Sequence, residues 1–164
     1  MTFAPRTWVV GEVVSAAIMN QEIRDQFNSM FGAWTVYTPT WTASTNPNLG
    51  NGTLIGRYMK IGRTVLCEII LTTGSTTTYG SGQYAFGLPV QAASSGVDAI
   101  GSARLTAGAT YIGTTFTASG SQTAVPTFPG SSTPATGANM SPTAPATLAA
   151  GHTLRLTVMY EAAS

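Results

Sequence analysis

The sequence predicts a mainly β protein, a jelly-roll-like β-sandwich preceded by an extended N-terminal arm and one short α-helix. Three observations predict it. From Trp34 onward the apolar residues alternate instead of recurring every three or four positions, Gly, Pro and Asn interrupt the chain at short intervals, and no further helical pattern intervenes. Seven or more short strands of that kind belong to sandwiches and barrels. At 164 residues the chain holds one domain and an appendage, divided as residues 1–33 and 34–164.

The arm comes first. Residues 1–14 carry Trp8, Val9, Val10, Val13 and Val14, an apolar stretch too short to enclose a core of its own, so it is expected to dock on something. Ser15 is placed to cap a helix running to Phe31, with Gly32 as a left-handed C-terminal cap. Ala16, Met19, Ile23, Phe27 and Met30 recur at spacings of three and four and form one apolar stripe. A lone helix of this length is marginal in water, so the stripe needs a partner. Two partners fit: the chain's own β-domain, or copies of the same helix in a symmetric bundle.

The strands follow, expected at Thr35 to Thr42, Thr53 to Ile61, Thr64 to Thr73, Gln83 to Leu88, Asp98 to Leu105, Thr110 to Ala118 and Thr153 to Tyr160. A tight hairpin is expected at Lys60-Ile61-Gly62-Arg63. Leu154, Leu156 and Val158 alternate cleanly with polar neighbours, whereas both faces of the 53–61 strand carry apolar residues and leave its inner face ambiguous. Residues 119–147 contain Pro126, Pro129, Pro134, Pro142 and Pro145; since each proline removes a backbone donor, the segment is expected to be a surface excursion.

Composition restricts the function. Charged residues make up 8% of the chain, far below the usual ~25%, and a surface so poor in charge suits burial in an assembly. A net charge near +1 offers no footprint for nucleic acid and no polybasic patch for a membrane. The opening residues carry no secretory pattern, and no run approaches the ~18 apolar residues of a membrane span.

Catalytic and metal chemistry find few candidates. The chain has one histidine, His152, expected in a turn, and one cysteine, Cys67, expected as a small buried thiol, so a zinc site lacks ligands and no cofactor is expected. Glu22 and Asp25 read as a solvated helix side, and the stretches at Gly50 to Gly52 and Gly80 to Gly82 read as turns. No enzyme is expected. Trp41, Tyr79 and Tyr84 are the candidate glycan contacts if the domain stacks sugars on exposed rings.

Two blocks carry a resemblance. Thr7-Trp8-Val9-Val10-Gly11-Glu12-Val13-Val14-Ser15-Ala16, continuing through Asn20 and Ile23-Arg24-Asp25-Gln26-Phe27-Asn28, resembles the opening of small virion proteins of phages that infect actinobacteria. Tyr37-Thr38-Pro39-Thr40-Trp41-Thr42, Asn46 to Tyr58, and Gly74 to Gly82 look like the β-domain of the same minor tail or structural proteins. The resemblance covers about half the chain.

It implies a virion component made in the host cytoplasm, a homotrimeric minor tail, fibre-like or capsid-decoration protein whose partners are its own copies, other phage virion proteins and host cell-wall glycans. Trp8, Val10, Val13, Met19, Ile23, Phe27 and Met30 are the expected oligomer and attachment residues. The reading from another class is a lectin-like β-sandwich module.

Overall fold

The computed structural model describes residues 7–130 and 136–163, and Pro134 of the proline-rich segment lies outside them. The helix begins where Ser15 caps it, its Oγ accepting from the Ile18 N–H at 3.3 Å. It comprises α1 (Ala16–Met19), a π-helical stretch (Asn20–Arg24) and α2 (Asp25–Phe31). Gly32 is no left-handed cap: its φ of −65° and ψ of 160° send the chain off extended towards the first strand. Glycine is needed there because a β-carbon would lie 2.7 Å from the Asn28 carbonyl oxygen.

The described strands are β1 (Thr35–Tyr37), β2 (Trp41–Thr42), β3 (Thr53–Ile61), β4 (Thr64–Thr72), β5 (Ala85–Gly87), β6 (Ala99–Ala107), β7 (Ala109–Thr117), β8 (Thr123–Pro129), β9 (Gly137–Asn139) and β10 (Thr153–Glu161). They form one antiparallel sheet in the order β1-β3-β4-β10-β6-β7-β8-β5-β2, with β9 added on β8. The strand expected from Thr35 to Thr42 is therefore two strands. Buried Pro39 interrupts it, and β1 and β2 stand at opposite ends of the sheet order.

That break determines the architecture. Tyr37 and Trp41 are four residues apart and can be separated by at most about 14 Å, so the two ends of the sheet must curl back towards each other. Tyr37 fastens them: its hydroxyl donates to the Gly87 carbonyl of β5 at 3.1 Å and lies 3.2 Å from Cys67 Sγ of β4. Its ring occupies the space a side chain at Gly56 would need. The result is a jelly-roll-like sandwich whose layers are the two halves of one curled sheet.

Alternation fills the interior. Val65, Cys67, Ile69 and Leu71 of β4 point inward, as do Leu154, Leu156, Val158 and Tyr160 of β10, and all are buried. On β3 the buried Gly56 and half-buried Leu54 and Tyr58 resolve the ambiguous face. The hairpin between β3 and β4 turns at Gly62, whose φ of +59° few other residues adopt readily.

The proline-rich segment corrects the sequence reading. Residues 123–129 form β8, inside the sheet, with Ala124, Pro126 and Phe128 buried, and Met140 and Leu148 further along also enter the core. Pro126 is tolerated because of where its missing donor points. Its carbonyl accepts from Met140 N–H at 2.8 Å, so its nitrogen faces the gap between Thr123–Ala124, which pair with β5, and Thr127–Pro129, which pair with β9.

Candidate functional site

The chemistry-bearing side chains are dispersed. His152 Nδ1 accepts from the Ala149 N–H at 3.1 Å, so this histidine closes a turn. Asp98 accepts from Ser119 N–H, Glu68 pairs with Arg57 at 2.7 Å, Glu161 with Arg63 at 3.2 Å and Asp25 with Arg24 at 2.8 Å. Among the described residues no three His, Cys, Asp or Glu side chains gather as metal ligands would, and no helix is long and apolar enough to cross a membrane.

Cys67 is buried, and burial first of all pushes its thiol up to about 11. Desolvation raises Tyr37, Tyr84 and Tyr160 as well, and each hydroxyl donates to a backbone carbonyl: Gly87, Tyr79 and Val90 respectively. These are core groups. A thiol-specific reagent at pH 8 is expected to leave Cys67 unmodified in the native chain and to label it fully in urea, a contrast mass spectrometry will measure.

Two of the candidate glycan contacts are also core. Trp41 stacks on Phe86 with ring centroids 6.2 Å apart and meets Tyr84 edge-on at 5.1 Å, and Tyr84 has no exposed surface. Neither ring can present a face to a sugar, because the aromatic cluster that fills the curled sheet covers both. Tyr79 is half-buried against the same core. Of the three predicted platforms, Tyr79 alone keeps appreciable solvent-exposed surface.

The arm and helix differ sharply from this interior. No residue of α1 or of the π-helical stretch is buried, and Val10, Val13 and Phe27 are 102%, 83% and 56% exposed, with Trp8, Met19, Ile23 and Met30 also open to solvent. Of the two partners the stripe could have had, its own β-domain is not the one it lies on. Phe27 and Phe31 instead stack on each other with centroids 6.3 Å apart.

The stripe follows from ordinary helical spacing: residues at i, i+4 and i+8, as are Met19, Ile23 and Phe27, share one face of a helix. The helix is nonetheless interrupted by the wider i→i+5 turn at Asn20–Arg24.

A second apolar surface lies on the outside of the sheet, and alternation alone does not reveal it. Pairing brings Met59, Leu66 and Met159 into one row across β3, β4 and β10, and sets Ile100 opposite Phe116 on β6 and β7; the β10–β6 pairing ends at Thr157 and Ser102, short of Met159 and Ile100. Met159 and Ile100 are 60% and 70% exposed. The only sequence signal was that both faces of the 53–61 strand are apolar; which outward residues align depends on registers set by the fold.

Parallel to this row runs another, Ile55, Ile70, Arg155, Arg104 and Ile112. Arg155 and Arg104 stand directly opposite each other, exposed, and neither has an ion pair among the described residues. Like charges so placed repel, which a sheet tolerates more readily when a partner neutralises them.

The helix connects to this face. Arg57 lies over the Trp34 ring at 5.1 Å while holding Glu68, tying the helix exit to β3. A notch lined by Asp25, Asn28, Met59 and Lys60 separates α2 from the end of the apolar row. No family model, curated protein or solved structure matches the chain.

Proposed function

We propose that this chain is a structural protein of a bacteriophage virion, a homotrimeric minor tail, fibre-like or capsid-decoration component, with arm and helix as the attachment element and the β-domain projecting to meet the host surface. The observation that carries this reading is the arm and stripe: Val10, Val13, Met19, Ile23, Phe27 and Met30 are apolar and exposed. Exposed apolar surface of this extent marks an interaction site. The low charge, the dispersed carboxylates and the resemblance of the arm to phage virion proteins support it further.

A structural role accounts for the absence of convergent acid–base or nucleophilic groups among the described residues, and the trimer rests on the resemblance together with the preference of homo-oligomers for closed symmetry. Sedimentation at micromolar concentration is expected to give a single species of three chains, and antibody labelling of particles to place it on the virion. A monodisperse monomer that labels no particle overturns the reading.

A further inference from the structure

The geometry points to the occupant of the outer sheet face: the apolar stripe of one copy seats on the outward apolar residues Met59, Leu66 and Met159, and Ile100 and Phe116 beside them, of the next copy. This rests on the assembly reading above and names the contact that would build it.

Polarity and charge agree. From Met19 to Met30 the stripe runs eleven residues, about 17 Å at 1.5 Å per residue, longer than the two interstrand steps of about 4.8 Å from Met59 to Met159, so it reaches on towards Ile100 and Phe116. The arm and helix carry Glu12, Glu22 and Asp25 against Arg6 and Arg24, a balance of −1. The described β-domain carries Arg57, Lys60, Arg63, Arg104 and Arg155 against Glu68, Asp98 and Glu161, a balance of +2.

Glu22 flanks the stripe and has no ion pair among the described residues, while Arg104 and Arg155 flank the row without one either. Arg155 is four residues along β10 from Met159, about 13 Å, a gap that Arg and Glu side chains bridge beside a helix about 10 Å across. A depression of about 490 Å³ lined by Ile55, Arg57, Glu68 and Arg155 lies on that flank. A helix-on-sheet contact joins two different surfaces, so copies related by a rotation that closes after three make the trimer, and a rotation that does not close makes a filament.

Cross-linking tests it, and the buried Cys67 does not interfere. The double variant Phe27→Cys with Ile100→Cys is expected to form disulfide-linked dimers and trimers under mild oxidation, whereas each single variant stays unlinked. Arg104→Glu with Arg155→Glu is expected to weaken association about tenfold or more, and adding Glu22→Arg to restore part of the loss. A link formed by Phe27→Cys alone indicates a helix bundle, and a link within one chain indicates intramolecular docking; either overturns this contact while leaving the assembly reading standing. An unmodified chain that sediments as a monomer removes both.

Discussion

Replacing Phe128 with alanine is expected to destabilise the isolated chain by about 3–5 kcal/mol, a large share of the ~5–15 kcal/mol a domain of this kind possesses. Phe128 is 2% exposed. Its ring lies where a side chain on Gly113 of the neighbouring β7 would stand, so one aromatic group fills the space of two residues. Truncation therefore removes the transfer free energy of the ring and leaves a cavity that Gly113, having no side chain, cannot fill.

The matching control is Phe116→Ala on the outer face. Phe116 is 38% exposed and belongs to the outward apolar residues, so its loss is expected to cost about 1 kcal/mol or less in the folded monomer and to be felt in association instead. Urea denaturation of both variants checks the contrast. Equal, small losses would mean that residues 123–129 contribute nothing to the core.

The same segment shows what was legible in the sequence. Local patterns read well: the Ser15 cap, the hairpin at Gly62 and the alternation of Leu154, Leu156 and Val158 all depend on neighbours close in the chain. Prolines read badly. Pro126 looks like a strand breaker until it is known that its nitrogen faces a gap between two partner strands, a fact of tertiary position. Pro39 worked the other way, ending a strand that alternation alone would have carried through to Thr42.

The candidate surface divides in the same manner. The helical stripe is visible because its period is local, though the π-helical turn that interrupts the helix is not. The outer residues are invisible because they lie in different strands and align only through pairing register, Met59 with Leu66 and Met159, and Ile100 with Phe116. Trp41 and Tyr84 prove to be core for a related reason: whether an aromatic at the end of a strand meets solvent depends on the curl of the sheet that closes over it.

Deleting residues 1–33 is expected to separate folding from assembly completely. The buried apolar residues all lie beyond that segment among the described residues, and the contact of Arg57 with Trp34 lies outside it and stays in place. The shortened chain should unfold in urea with a stability within about 0.5 kcal/mol of the full chain, the range of surface changes away from caps and cores. It should also sediment as a monomer and be absent from particles assembled in its presence. The effect on incorporation is all-or-none because the deletion takes away the helix that every copy contributes to its neighbour, so no contact in the ring survives. A shortened chain that still enters particles would transfer the attachment role to the β-domain. One that fails to fold would show instead that the arm is part of the core, against the exposure of Val10, Val13 and Phe27.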